Sequence, residues 1–300
     1  MPRTVGGLDP TSLERSCDRR SNSIHFGPSA NGVERADVYL STYFYEPHRH
    51  DTYAIGITTA GVQLFRYRRS RHVCLPGQLH ALHPDEEHNG RAGTDDGFGY
   101  RILYIAPQLI RDAIPAGPLP FVADPVQDPT PMSKPITSLL ANIDEPISEI
   151  GGAEIAVSVA DWLLSLCGKS RTASIDIKAV TLVRDYLAVH PLEQTPASVL
   201  EKIAGTDRFT IARHFRLAFG TSPDRFRTLR RLALARNAIE SGQPLAQAAA
   251  DAGFADQSHM SRQFKRAYGM TPSHWRELTA GAARSEAREL GKKPFLYSRR

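Results

Sequence analysis

The chain has 300 residues, a formal charge of +5, 41% hydrophobic and 23% charged residues, a balance ordinary for a folded protein with room for one or two cores. No run of about eighteen apolar residues offers a membrane span, and Met1 to Arg20 hold no apolar signal-peptide stretch, so a cytoplasmic chain with no membrane partner is expected. The three cysteines, Cys17, Cys74 and Cys167, are far apart and lack metal-ligand spacing, which points to reduced thiols.

In chain order, residues 1–32 are rich in Arg, Ser, Gly and Pro and are expected to be poorly ordered. From Val33 short runs of β-formers follow: Glu34–Phe44, Thr52–Thr59, Val62–Tyr67, His72–Cys74, Gln78–His83 and Gly99–Tyr104. Gly, Pro and Asp clusters separate them, which predicts an all-β sandwich or barrel over 33–113. Within it, Pro47-His48-Arg49-His50 puts two histidines on one face of a strand. His88 follows Pro84-Asp85-Glu86-Glu87, while His80 and His83 flank a turn and are expected to face solvent. Arg66, Arg68, Arg69 and Arg71 read as a solvated hairpin tip before they read as an anion site.

Seven prolines between Ile114 and Pro135 exclude regular helix and central strand. Two helices are predicted next, Ile136–Asn142 and Ala153–Leu166, so 114–174 form a proline-rich exit and helical connector ending in a short linker, Gly168–Thr172. Ile155, Val159, Trp162, Leu163 and Leu166 make an apolar stripe on the second helix. That stripe suits either a homodimer contact or packing on the chain's own barrel.

The segment 175–280 is predicted to be all-α. It opens with a helix over Ile175–His190 and then states one phrase twice. Arg213, Phe215, Gly220 and Pro223 recur 49 residues later as Arg262, Phe264, Gly269 and Pro272. The aromatic pairs Phe215/Phe219 and Phe264/Tyr268 each lie on one helix face. Gly220 and Gly269 suit left-handed helix stops, and Pro223 and Pro272 suit first helical positions. Short helices over Pro196–Ala204 and Pro244–Ala252 precede the two copies, and Asp207 and Asp256 are N-cap candidates. Helix, turn, helix, given twice, predicts two helix-turn-helix units. Their second helices expose Arg208, Thr210, Arg213, His214 and Arg216, then Gln257, Ser258, His259, Arg262, Lys265 and Arg266. These are side chains suited to base edges and phosphates. The last stretch, 281–300, is a basic tail.

Charge supports this division. From Glu201 to Arg300 there are 19 Lys/Arg and nine Asp/Glu, a net of +10, which leaves −5 on the first 200 residues. Between Arg208 and Arg236 eight arginines accompany one acid, Asp224. A basic half joined to an acidic half suggests that only one of them meets a polyanion. On that reading the arginine-rich stretch supplies the phosphate contacts that dominate affinity.

Two resemblances sharpen the reading. His48-Arg49-His50, the turn glycine Gly61, Pro76-Gly77 and Pro84…His88 resemble a cupin barrel. Enzymatic cupins add a glutamate four or five residues after the histidine pair, where this chain has Ala54 and Ile55. That absence argues against a catalytic centre; His48, His50 and His88 read as a polar ligand pocket, with a three-histidine zinc site completed by water and histidines that only satisfy core hydrogen bonds as the alternatives, and no metal, cofactor or catalytic residue is assigned. Ala252-Gly253-Phe254-Ala255-Asp256-Gln257-Ser258-His259-Met260-Ser261-Arg262-Gln263-Phe264, closing with Gly269-Met270-Thr271-Pro272, resembles the C-terminal signature of AraC-type transcriptional regulators. That resemblance implies a two-domain α+β chain: an N-terminal all-β cupin-like effector domain, a helical connector and a C-terminal all-α domain with two helix-turn-helix units. It also implies double-stranded promoter DNA and a small-molecule effector as partners, RNA polymerase as the indirect one, and base-contacting positions at Phe209, Arg213, Gln257, Ser258 and Arg262. Phe209 suits a thymine methyl or, equally, the small core. The competing classes are a cupin metalloenzyme (oxygenase or isomerase) with a helical appendage, and a DNA-architectural protein without an effector. No Gly-rich phosphate loop, Gly-x-Ser-x-Gly elbow or placed carboxylate pair supports catalysis.

Overall fold

The computed structural model describes residues 22–30, 32–114, 117–167 and 174–280. The first twenty-one residues, the Gly168–Thr172 linker, the 281–300 tail and Cys17 lie outside the described residues.

Ten strands form the first half: β1 (Ser23–Phe26), β2 (Val33–Leu40), β3 (Tyr45–His48), β4 (Tyr53–Gly61), β5 (Gln63–Tyr67), β6 (Ser70–Cys74), β7 (Leu79–Leu82), β8 (His88–Ala92), β9 (Phe98–Ile105) and β10 (Val126–Gln127). They make a six-stranded sheet, β1-β2-β9-β4-β7-β10, and a four-stranded sheet, β3-β8-β5-β6. The fold is cupin-like, but the two sheets face one another without closing into a single barrel. β1 falls inside the stretch expected to be disordered; Ser23–Phe26 pairs along its whole length with β2, a run too short to stand out among Ser, Asn and Gly.

The larger sheet is buried on both faces, and the alternation of its central strands shows how. Ala54, Tyr100 and Ile102 point into the space between the sheets, while Ile55, Leu103 and Ile105 point out into a second core. Three helices cover that outer face: α1 (Pro107–Ala113), α2 (Lys134–Ala141) and α3 (Glu149–Leu166). Val159, Trp162 and Leu163 of α3 are fully enclosed against Ile55, Leu79 and Leu103. Each such side chain is worth about 1.5–3 kcal/mol of apolar burial. The apolar stripe thus packs on the chain's own sheet, the second of its two alternatives.

The second half contains α4 (Ile177–Val189), α5 (Ala197–Ala204), α6 (Arg208–Phe219), α7 (Pro223–Glu240), α8 (Leu245–Asp251) and α9 (Gln257–Tyr268), followed by helical residues 272–280. The two copies of the repeat differ in how they are buried. The first closes a core of its own around Val183, Leu187, Ile211 and Phe215. The second, around Met260, Phe264, Met270 and Trp275, runs into the core between the sheets. No helix among the described residues is long and apolar enough to cross a membrane.

Candidate functional site

α6 and α9 are built alike. Asp207 accepts from the backbone N–H groups of Phe209 and Thr210, and Asp256 from that of His259. Gly220 and Gly269 end the helices in the left-handed region, at φ 74° and 73°, where a side chain would clash with its own backbone. Phe215 and Phe264 turn inward. Phe209, Arg213 and Arg216 stay exposed on α6, and Gln257, Ser258, Arg262 and Arg266 on α9. Phe209 is 74% exposed, so it stands on the surface and not in the small core. Several of the sequence-selected side chains have partners within the chain. The Thr210 hydroxyl donates to Asp207 at 2.7 Å, His259 sits edge-on to Phe254, and Lys265 Nζ lies 2.7 Å from Glu46.

The arginine-rich stretch has largely been spent inside the molecule. Arg208 pairs with Glu201 and Arg227 with Asp224, and Arg231 donates to the carbonyls of Ala252 and Gly253. Arg225, Arg230 and Arg236 reach Asp85, Asp51 and Glu34 of the first half. Of the eight arginines, Arg213 and Arg216 have neither an ion pair nor a carbonyl partner within the described residues. The expectation that the arginine-rich stretch supplies the dominant phosphate contacts is narrowed accordingly: three of its arginines are paired across the joint of the halves.

A cavity of about 320 Å³ lies between the sheets and α7. His48 and His88 face each other in the β3–β8 register, with ring centroids 4.2 Å apart, and His50, two residues past the end of β3, is 4.7 Å from His88. All three sequence-selected histidines therefore line one cavity, although only His48 of the first pair is in a strand. Their Nδ1 atoms lie 2.8, 2.9 and 2.9 Å from the carbonyl oxygens of Glu46, Thr52 and Glu86. A carbonyl can only accept, so each Nδ1 carries the proton and each Nε2 is left as an acceptor. Burial, reinforced by the neighbouring imidazoles, lowers His50 to about 3 and His48 well below its ordinary range. Burial lowers His88 to about 4. All three are uncharged at neutral pH. No group of three His, Cys, Asp or Glu among the described residues is disposed to hold a metal ion.

His80 and His83 are buried, not solvent-facing. β7 lies between β4 and β10 with both faces covered, so its polar residues point into protein whatever their register. His83 is satisfied by the Tyr67 hydroxyl at 2.6 Å and the Val122 N–H at 2.9 Å. His80 lines the cavity, and room for its ring is made by Gly56 directly across the ladder, where a Cβ would come within 2.3 Å of the imidazole. That mid-strand glycine is the one sequence signal that pointed to a large group opposite it.

The other wall of the cavity comes from the second half: Leu229, Arg230, Ala233 and Arg236 of α7, with Tyr268 and Trp275. Arg236 forks onto Glu34 at 2.5 and 3.1 Å. The backbone joins the halves as well. Glu46 N–H donates to the Gly269 carbonyl, and Arg49 N–H to that of Arg266, both at 3.0 Å. A Cβ on Gly220 would come within 2.7 Å of Pro84, and one on Gly269 within 2.7 Å of the His48 ring. The ends of α6 and α9 thus seat on the rim of the cavity-bearing half. Nothing in the sequence pattern marks α7 as a cavity wall.

Residues 31–157 match the AraC-like ligand binding domain, and residues 200–278 match a helix-turn-helix domain. The two matches fall in chain order on the sheets and on the paired helices. The chain is an AraC-type regulator. Structures of ToxT from Vibrio cholerae share this arrangement at TM-scores of 0.61 and 0.63, covering 84% and 85% of this chain and 100% and 98% of theirs. At 12% identity the likeness is one of fold. An uncharacterized HTH-type transcriptional regulator, YbfI of Bacillus subtilis (strain 168), is 23% identical over 223 residues, 71% of this chain and 80% of that one. This AraC-type regulator accordingly combines a DNA-binding helix-turn-helix domain with a ligand-binding domain, and the cupin metalloenzyme alternative is not favoured.

Proposed function

We propose that this regulator reads promoter DNA through α6 and α9, and that a small molecule in the cavity between its halves sets how those helices are held. One observation carries the reading: the cavity is walled by both halves, so a guest there touches sheet and α7 at once. Such a guest shifts the balance only by its difference in affinity for the two arrangements. His48 lines the cavity and also seats Gly269, which puts the end of α9 one side chain away from the guest. A ToxT structure is described as bound to an unsaturated fatty acid, which supports a small-molecule effector here.

On this reading 33–113 is the effector domain, 114–174 the connector and 175–280 the DNA-binding domain, and the protein works in the cytoplasm on RNA polymerase at the promoter. Phe209, Arg213, Gln257, Ser258 and Arg262 contact bases. Thr210, His259 and Lys265 position the helices or touch phosphate. A homodimer would use the face of α3 opposite the buried stripe. Ile150, Val157 and Leu164, seven residues apart, are exposed there and form a narrow seam.

Binding-site selection with the full chain tests the DNA half of the proposal. The expected motif has two half-elements about 34 Å apart; enrichment of no motif at any salt would refute sequence-specific recognition. Ala233→Trp, which fills the cavity from the α7 side, tests the other half. It should abolish effector control of the selected promoter in cells while leaving the motif unchanged, and a regulated promoter in that variant would move the effector elsewhere.

A further inference from the structure

We propose that the effector is an uncharged molecule with an apolar body and a hydroxyl or N–H donor, and that His88, the middle member of the cluster with His48 and His50, accepts its hydrogen. The inference rests on the cavity being the effector site and adds the chemistry that the site selects.

The acceptor character comes from the backbone. Because all three Nδ1–H groups are given to the carbonyls of Glu46, Thr52 and Glu86, the Nε2 atoms are left as lone pairs on three residues that line the cavity. Turning any of them into a donor means breaking a carbonyl bond or adding a proton, and burial opposes the proton at each site. A carboxylate guest would set acceptors against acceptors. Its charge would also find no free counter-ion. The two cations in the wall, Arg230 and Arg236, are already held by Asp51 and Glu34, and all four of these groups line the cavity. The tyrosine hydroxyls of the wall, on Tyr45, Tyr100 and Tyr104, carry no charge to offset an anion buried there.

The rest of the wall asks for a hydrocarbon body: Ile24, Val38, Phe65, Leu82, Ile102 and Leu229. A second polar feature stands apart from the histidine cluster. His80 is 1% exposed, lines the same cavity, and keeps its enclosed Nδ1 without a hydrogen-bond partner among the described residues. Because that atom is enclosed, the guest gains no polar partner there. The volume, near the lower end of the roughly 300–1,000 Å³ typical of small-molecule sites, limits the guest to a compact skeleton.

The test uses the full chain and matched probes: 2-naphthol against 2-naphthoate and 2-methoxynaphthalene, and 1-decanol against decanoate, read by calorimetric titration and thermal shift. The alcohols should bind and raise the melting temperature. The carboxylates should not, and the ether, which lacks the donor, should bind about tenfold more weakly than the naphthol. His88→Phe should narrow that alcohol–ether gap to within about twofold; the probe comparison itself needs no variant and holds if that one does not fold. Preference for the carboxylates, abolished by Ala233→Trp, would overturn the uncharged class and leave the cavity reading standing. Alcohol binding that persists in Ala233→Trp would overturn both. Binding of none of the probes, or stoichiometric zinc or manganese in the purified protein that is lost in His88→Phe, would overturn the inference, while the cavity reading would still be judged by the promoter response of Ala233→Trp.

Discussion

Replacing Gly269 by alanine separates the cost of a helix cap from the cost of joining the two halves. Three helix-ending glycines share almost the same left-handed backbone: Gly205 at φ 65°, Gly220 at 74° and Gly269 at 73°. Their surroundings differ. A Cβ on Gly205 meets nothing within 4 Å, whereas one on Gly269 lies 2.7 Å from His48 Nδ1 and 3.1 Å from two further ring atoms. Gly205→Ala should therefore cost only the left-handed conformation, about 1 kcal/mol. Gly269→Ala carries that cost and must also move an imidazole tethered to the Glu46 carbonyl, which adds about 1–3 kcal/mol of overpacking. At roughly 2–4 °C per kcal/mol, thermal unfolding of the full chain should fall by about 3 °C for Gly205→Ala and by at least twice that for Gly269→Ala. In a His48→Ala background the Gly269→Ala cost should drop to about 1 kcal/mol. Gly220→Ala, which strikes Pro84, should stay costly in that background. Equal costs at Gly205 and Gly269, or a cycle that is additive, would refute the claim that the second recognition helix seats on the effector-binding half.

Other expectations follow from the same geometry. Burial holds His48, His50, His80, His83 and His88 below their unfolded value of about 6.5. The unfolded chain then binds more protons as pH falls through 6.5, and stability should decline from there toward pH 4, by up to about 1.4 kcal/mol per pH unit for each histidine. Denaturant midpoints between pH 7.5 and 5.5 would show it, and His88→Gln should remove about one proton from the slope; a flat profile contradicts a buried neutral cluster. Arg262→Ala should cost about 1–3 kcal/mol of DNA affinity and relax base choice at one position; an unchanged footprint would remove Arg262 from the contact set. Glu46→Gln frees Lys265 and should steepen the salt dependence of DNA binding by about one phosphate, seen as a larger slope of log Kd against log salt. Val157→Glu with Leu164→Glu should yield a monomer by sedimentation while shifting stability by less than about 0.5 kcal/mol; an unchanged mass would exclude that face of α3.

The repeated phrase was legible because its chemistry is local. Asp207 and Asp256 cap, Gly220 and Gly269 stop, and Phe215 and Phe264 turn inward, as their spacing demands. The β-half was legible as a class, and its three selected histidines do share one cavity. What the sequence hid is what non-local contacts decide. β3 and β8 carry too few β-formers to announce themselves, yet they bring His48 to His88. Gln78–His83 reads as a strand, but only its two covered faces decide that His80 and His83 lie inside. The arginines of α7 read as a phosphate-binding surface because Glu34, Asp51 and Asp85, which neutralise them, lie more than a hundred residues earlier.

Sharing one wall between two tasks has an evolutionary cost. Leu229, Ala233 and Arg236 belong to the helix that spaces the two DNA-reading units, and they also shape what the cavity admits. On the proposed reading, a change at Arg236 alters the cavity wall and its ion pair with Glu34 across the joint at once, whereas a change at Ala233 alters the cavity alone. On that reading, new inducers can also be accommodated from the sheet side, at Ile24, Val38 and Phe65, which line the cavity and lie outside α6, α7 and α9.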